Sequence, residues 1–511
     1  MAFAGLLIVT AVATPAHAQW FARNLNSSFN SVPRSFARGG AGTQVVGSAT
    51  VVGYDTVQTH AVLWSGSPAS GYSFIDLNPT GATVSEAFGT TGTQQVGNAT
   101  FSNSKHAGLW NGTAASWIDL NPAGATSSAA KGFAGSQQVG QATFGSATHA
   151  GLWNGTAASW VNLNPTGATR SEAFGATGTQ QVGNATFSNS KHAGLWNGTA
   201  ASWIDLHPAG ATESGAKFIA GTQQAGYAKF GSNDHAGLWS GAAGSWVDLN
   251  PAGATSSQIN GISGTQQVGQ ATLGNAIHAG LWNGTADSWV DLNPAGATSS
   301  VAYGTFGTTQ VGYARFDDGT TWPGVWNGTA ASWEPLPFPH YPDSEAGGWQ
   351  EYAHAESSSV WTDGNYLYAA GYVTRWNYVA SNQNAAAVLW SRPISSPLTG
   401  DFNRDGVVDG ADLENWKAGF FASGTATPTQ GDADGDADVD GADFLVWQRG
   451  VRGLASAATA HSAVPEPAAA VSLLFGITGL AALVRHRPLA IGGNSRPIRD
   501  HHSALPGRTI T

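Results

Sequence analysis

No cysteine occurs anywhere in the 511 residues. Disulfides and thiolate metal sites are therefore excluded. Charge is scarce as well, at 10% of residues, against about 25% in ordinary globular chains. The 21 basic side chains form no patch that could face phosphates, which argues against nucleic acid as a partner. Most of the net charge of −11 is local. Residues 401–443 carry 11 acidic and 2 basic side chains, a net of −9. No G-x-S-x-G elbow, Walker loop or H-E-x-x-H helix is present, so the common catalytic signatures are missing.

What the chain has in abundance is glycine, 68 residues, and tryptophan, 21 residues. Short strands joined by tight turns suit that composition. A repeat carries them. His-Ala-x-Leu-Trp begins at His60, His106, His149, His192, His235 and His278, with spacings of 46 and then four times 43. Degenerate copies end at Trp326 and Trp390. Within residues 94–136, Gln94–Phe101, His106–Trp110 and Trp117–Leu120 read as strands, with a short fourth at Ser128–Phe133. Asn111-Gly112 marks a tight turn, and Asn121-Pro122 ends the third strand.

Four strands in about 43 residues is the size of a propeller blade, and favours a β-propeller over a solenoid or stacked sandwiches. The Val-Gly and Leu-Trp strands each occur eight times, and the Trp-x-Asp-Leu strand seven times. Trp20–Leu25 looks like a worn eighth copy. Pairing it with the last unit would close a ring of eight blades, seven being the alternative, and remove the exposed sheet edge. Over residues 36–391 the repeat resembles the HAF family of extracellular repeats, named for His-Ala-Phe before Leu-Trp. Here Gly or Val stands in place of that Phe. The resemblance implies an extracellular location and no reaction.

The repeated His and the Asp at 76, 119, 205, 248 and 291 resemble the His and Asp that fix blade geometry in WD-type propellers. Groups that recur in every blade suit a structural role better than a catalytic one, which needs an asymmetric cluster. Asn162 at one Asp position agrees with that reading. The repeated Trp residues are expected to pack between blades, with an exposed sugar-stacking ring as the alternative. The repeat breaks between Pro335 and Ser357, and a specific ligand site would involve that segment. Glu345, Glu351 and Glu356 are the only cluster of acids outside the repeat register that could serve a polysaccharide-degrading enzyme. The expectation is a protein that is not an enzyme.

The most specific chemistry is duplicated. Asp401, Asn403, Asp405, Val407, Asp409 and Asp412 occupy positions 1, 3, 5, 7, 9 and 12 of a twelve-residue loop. Asp432, Asp434, Asp436, Asp438, Asp440 and Asp443 repeat the pattern 31 residues later. Side-chain oxygens at 1, 3, 5, 9 and 12, with a backbone carbonyl at 7, match EF-hand spacing and select Ca²⁺. Ala437 replaces the usual glycine at position 6, which predicts strain in the second loop. A helix is expected after each loop, at 413–420 and 444–451. The duplication, with Asp at position 12, resembles the type I dockerin module over residues 399–452. That resemblance implies a cohesin-like or intramolecular partner, although Gly410-Ala411 and Gly441-Ala442 offer only small contact residues.

The two ends read as addresses. An apolar run ends in Ala16-His17-Ala18, which predicts signal cleavage between Ala18 and Gln19. Near the other end, Pro465-Glu466-Pro467 precedes an apolar stretch, Ala468–Val484, and then Arg485-His486-Arg487. This order resembles the PEP-CTERM sorting signal of Gram-negative bacteria, which implies an exosortase-type processing enzyme. Unlike that family, the chain continues from Pro488 to Thr511. The stretch predicts a transmembrane helix at the short limit. The expected order is signal peptide 1–18, propeller 19–391, linker 392–398, calcium module 399–452, linker 453–463, sorting signal 464–487 and tail 488–511. The expected function is that of a non-catalytic structural or adhesive protein of the cell surface, outer membrane or extracellular matrix. A lectin-like propeller with an extracellular polysaccharide partner is the alternative.

Overall fold

In the computed structural model, eight antiparallel four-stranded sheets follow one another around a ring. The described residues are 19–26, 34–52, 57–339, 349–377, 382–394, 399–403, 408–424 and 426–458. Blade 2 shows the pattern: Val84–Thr90, Gln95–Phe101, Ser104–Trp110 and the two-residue strand Ile118–Asp119. Blades 3 to 7 repeat it through Glu334–Pro335. Blade 1 spans Ser35–Asp76. The first strands of consecutive blades pack on one another, so they are innermost.

The expected repeat was out of phase by one strand. Ser127–Ala134 does not complete the unit before it. It pairs with Gln137–Phe144 and opens the next blade. The hairpin at Gly135, with φ +58°, joins those two strands tightly, whereas Pro122 breaks the ladder before them.

Blade 8 combines Trp349–Thr362, Tyr366–Asn377 and Asn382–Pro393 with Phe21–Asn24 from the other end of the chain. The pairing runs from Phe21 opposite Ser391 to Asn24 opposite Val388. Ring closure by the worn N-terminal copy is thus as expected, in eight blades. Its register is shifted, however. Leu25 N–H donates to Ala387 O as Leu120 N–H donates to Ala107 O, so Ala22 stands where other blades carry Trp. The later part of the segment where the repeat breaks is the inner strand of blade 8. Its first three strands, of 14, 12 and 12 residues, exceed their counterparts elsewhere.

The core is divided into eight clusters, one per blade interface. Between blades 2 and 3, Val96, Ala107, Leu109 and Leu120 meet Ala130 and Trp153. Between blades 8 and 1, Leu389, Tyr368 and Trp361 meet Val45, Val62 and Trp64. The Trp of each third strand is fully buried. Trp110, Trp282 and Trp390 donate to Leu77 O, Leu249 O and Pro337 O of the preceding blade. Those rings are therefore blade spacers and are not open to stack on sugars.

Two glycines of the repeat are fixed by close approach. The second-strand glycine sits against the bulge of the first strand. At Gly97 a Cβ would lie 2.0 Å from Glu86 O, and every blade has the same contact. The third-strand glycine lies under the second Trp. At Gly194 a Cβ would fall 1.8 Å from the ring of Trp203. Six blades pair Gly with Trp in this way. Blade 1 has Val62 and the smaller Phe74 instead. Blade 8 has Val388 and Ala22. Size is thus exchanged across the pair. Gly194→Val is expected to cost about 1–3 kcal/mol by overpacking. Adding Trp203→Phe should recover most of that loss. Urea unfolding midpoints decide it, and strict additivity of the two changes would contradict the exchange.

Candidate functional site

Blades 1 to 6 each carry a polar ladder built from their third and fourth strands and the next blade. In blade 2, His106 Nδ1 donates to Asp119 Oδ2 at 2.7 Å. Asp119 Oδ1 accepts from Asn121 N–H. Asn121 Oδ1 accepts from Ser128 Oγ, which itself accepts from Ala107 N–H. The ladder therefore crosses the blade interface and satisfies buried polar atoms. The same His–Asp contact recurs at His60, His192, His235 and His278. In blade 3, Asn162 Nδ2 donates to His149 Nδ1 instead. All six ladder histidines are thus engaged within their own blades, as expected for structural groups.

Blade 7 lacks the ladder, with Trp322 and Pro335 in place of the His and the Asp, and two of its departures are coupled. Pro323 replaces the alanine whose N–H would reach the serine. The matching position on blade 8 is Ala355, not serine. Donor and acceptor are lost together, so neither is left buried and unpaired. Ser357, two residues on, donates to Gly312 O and Gly324 O and crosses the interface another way.

Blade 4 has His207 where its neighbours have Asn. The imidazole copies the amide: Nε2 donates to Ala211 O at 3.0 Å and Nδ1 accepts from Ser214 Oγ at 2.8 Å. It also stacks on His192, with centroids 4.0 Å apart. Burial, followed by the neighbouring His192, lowers its pKa below the ordinary histidine range. The unfolded chain therefore takes up the proton first as pH falls. Stability from this group is complete above the unfolded pKa of about 6.5 and is lost as pH drops towards the folded value. His207→Asn should keep both hydrogen bonds and show a smaller drop in melting temperature between pH 7 and pH 5 than the parent. Parallel drops in the two proteins would refute this.

A second ring of contacts lies on the innermost strands. The bulge residue of one blade reaches the residue after the serine position of the next. Arg38 pairs with Glu86 at 3.1 Å and lies over Phe88. Lys131 pairs with Glu172 at 3.5 Å and lies 4.4 Å from the centroid of Phe174. Burial works against the charge of Glu172, but Lys131 and Arg170 outweigh it and hold the carboxyl below its usual range. Tyr303 of blade 7 makes the corresponding reach to Glu356 of blade 8, and Tyr372 also hydrogen-bonds that carboxylate. Burial, then Glu356, raises the hydroxyl pKa of Tyr303, Tyr313 and Tyr372. Of the three acids singled out in the sequence, Glu356 is thus placed in a cluster. Glu345 lies outside the described residues, and Glu351 lies on the inner strand of blade 8. The tyrosines were not read from the sequence. Their signal was variability, because the position after the serine is Phe36, Glu86, Ala129, Glu172, Gly215, Gln258 and Val301 in successive blades.

Two polar grooves open at equivalent places one repeat apart. Lys229, Asp234, Gln258 and Gln270 line a space of 240 Å³ between blades 5 and 6. Ile277, Thr298, Arg315 and Asp317 line one of 410 Å³ between blades 6 and 7.

The acidic region folds as two loop–helix halves. Helix α1 spans Gly410–Gly419 and helix α2 spans Gly441–Ala458, longer than expected. The halves are related by exchange. Trp416 Nε1 donates to Asp440 O of the second loop, and Trp447 Nε1 donates to Asp409 O of the first. Phe402, Val408 and Val439 are buried between them. Asp401, Asp412, Asp432 and Asp443, at loop positions 1 and 12, are buried carboxylates.

The second loop is described throughout. Asp443 accepts from the amides of Ala433, Asp434 and Asp440, and Asp432 from those of Gly435 and Ala437. Oxygens of Asp432, Asp434 and Asp436 lie within 4.8 Å of one another, as do those of Asp438, Asp440 and Asp443. Burial, then the neighbouring carboxylates, raises the pKa of Asp438, and Asp438 Oδ1 is buried with no hydrogen-bond partner. Ala437 has φ +69°, so the strain expected at position 6 is present. In the first loop Asn403, Asp409 and Asp412 are placed, with Asn403 N–H and Asp409 N–H on Asp412. Asp405 and Val407 lie outside the described residues. So do Ala18, the sorting motif Pro465-Glu466-Pro467 and the apolar stretch after it. Among the described residues, no helix is long and apolar enough to cross a membrane.

No family model and no curated protein matches the chain. Its fold is nevertheless that of an eight-bladed β-propeller. Solved structures of low similarity include the β-propeller domain of the Trilobed protease from Pyrococcus furiosus, 10% identical, which covers 61% of this chain and 99% of that one with a TM-score of 0.42. Others are the Pyrococcus horikoshii acylaminoacyl peptidase, 10% identical over 70% of this chain and 59% of that one, TM-score 0.38, and TolB from Acinetobacter baumannii, 10% identical over 58% and 80%, TM-score 0.32. Likeness at this level says nothing about activity.

Proposed function

We propose that this protein is an exported, non-catalytic structural or adhesive propeller of the bacterial surface or extracellular matrix, carrying a module that docks in the presence of Ca²⁺. The main support is the second acidic loop. Its carboxylates form two groups, Asp432, Asp434 and Asp436 from positions 1, 3 and 5 and Asp438, Asp440 and Asp443 from positions 7, 9 and 12, and Asp438 Oδ1 is an orphaned buried oxygen. An all-oxygen donor set of this kind fits a hard divalent cation. Asp432, Asp434, Asp436, Asp440 and Asp443 would hold it with the carbonyl of Asp438. In the first loop the holders would be Asp401, Asn403, Asp405, Asp409 and Asp412 with the carbonyl of Val407. The ion would supply the positive charge that the loops lack, and the reciprocal Trp contacts would tie each half to the other.

The propeller contributes to the reading through its repeated polar groups, which are spent on the ladder between blades. Extracellular polysaccharide is a partner class suited to the polar grooves beside blade 6. A cohesin-like protein or an intramolecular surface would receive the calcium module, and an exosortase-type enzyme would process the chain near Pro465. Calorimetric titration of the full chain, first stripped with a chelator, tests the calcium reading. Saturable heat for two ions is expected, and none at millimolar Ca²⁺ would reduce the module to an acidic linker.

A further inference from the structure

The two polar grooves beside blade 6 lie where two features that close the same place in other blades are both missing. The first is a bridge from the residue that opens the third strand. Ser104 Oγ of blade 2 donates to Thr126 O of blade 3 at 2.6 Å, and Ser190 Oγ of blade 4 to Thr212 O of blade 5 at 2.8 Å. The second is a long side chain just before the serine position of the next blade. Blade 3 has Ala147 in place of the bridging serine, but blade 4 answers it with Arg170. Blades 5 and 6 have Asn233 and Ala276 at the bridging position. The blades that follow them offer only Ser256 and Ser299. Among the described interfaces from blade 2 to blade 7, these two alone lack both features. They hold the spaces of 240 Å³ and 410 Å³.

Each groove balances its charge. Lys229 and Asp234 stand opposite each other at the first, and Arg315 and Asp317 line the second. A charged ligand of either sign would therefore meet a like charge in both. Resting on the polysaccharide reading above, we propose that the two grooves form one binding face for a neutral polysaccharide, whose chain crosses blade 6 and places a sugar in each. Sugar hydroxyls both donate and accept, and the grooves supply both kinds of partner. Lysine and arginine only donate, the carboxylates only accept, and the amides of Gln258 and Gln270 do both. Ile277 is 38% exposed and Phe316 is half-buried, which gives the carbon face of a sugar ring an apolar contact at the second groove. Two weak sites joined through one polymer bind far more tightly than either alone. The repeat supplies that pair by setting the same groove at consecutive blade interfaces.

Affinity electrophoresis of the full chain in native gels tests this, with dextran, mannan, galactan and laminarin as neutral probes and polygalacturonate as the acidic one. Retardation by at least one neutral polymer is expected, and weaker retardation or none by polygalacturonate. Ser256→Arg and Ser299→Glu refill the grooves with side chains the fold already accepts. Arg170 stands opposite Thr186 as Ser256 stands opposite Thr272, and Glu213 opposite Lys229 as Ser299 opposite Arg315. Each change should raise the polymer concentration needed for half-retardation at least about 10-fold, and the pair should abolish retardation. If a refilled protein melts early, Asn233→Ser decides, because it restores the bridge made by Ser190 without adding bulk. Unchanged retardation in the folded variants keeps the polysaccharide reading and overturns the grooves as its site. Retardation by polygalacturonate alone overturns the neutral class, and retardation by no polymer overturns both the site and the polysaccharide reading.

Discussion

A chain lacking residues 19–25 is expected to melt well below the full-length protein and to self-associate. Those residues supply the outer strand of blade 8. They also supply Trp20 and Leu25, which are 2% and 4% exposed. Trp20 packs with Trp390, Val388 and Leu336, and Arg392 lies over its ring. Removing a buried Trp alone costs about 3–5 kcal/mol, and Trp20→Ala should approach that figure. Deletion does more, because it leaves the edge of Asn382–Pro393 open to pairing with another chain. The ring is then left with one unfinished blade. A drop of more than about 5 °C in melting temperature follows from a loss of that size, with concentration-dependent aggregation seen by light scattering. A truncated protein that stays monomeric and melts with the parent would show that the strand is ornamental.

Asp432→Ala is expected to abolish binding in the second calcium loop and leave one site in calorimetry. Asp401→Ala should do the same for the first. Asp432 stands at position 1 and accepts two loop amides, so its loss removes both a ligand and the loop's internal frame. Without an ion, six aspartates of loop 2 face one another within twelve residues. A divalent cation cancels two charges and gives the loop a centre, which couples binding to folding. Circular dichroism of the full chain should therefore gain helical signal with Ca²⁺, and less of it in either variant. The first loop should be the tighter, because it keeps Gly406 while Ala437 is held at φ +69°. A left-handed alanine costs about 1–2 kcal/mol, so Ala437→Gly should strengthen the second site roughly 5- to 30-fold. Two equal sites that ignore this substitution would contradict the argument.

Much of the ring was legible because its information is periodic. The Leu-Trp strand pointed to eight blades over seven, and the worn copy at Trp20–Leu25 pointed to closure. The phase was not legible. Ser127–Ala134 alternates well enough to end one blade or begin another, and only the hairpin at Gly135 settles it. The shifted register of residues 20–25 was hidden likewise, since Trp20 invites alignment with Trp117. The spacing of the acidic loops could be read directly, because ligands to one centre must recur along a local segment.

By itself, the sequence determined the four-stranded repeat, the place of ring closure, the structural use of the repeated histidines and the spacing of the two acidic loops. Each is local or repeated, so one copy explains the next. The tertiary structure alone decided which glycine lies under which tryptophan, how His207 stands in for an asparagine, and why Pro323 coincides with Ala355. It alone gathered Tyr303 and Tyr372 about Glu356. Phe36 meets Tyr372 only because the ring closes, bringing the first strand of blade 1 beside the last blade. No periodicity along the chain encodes a contact that closure creates.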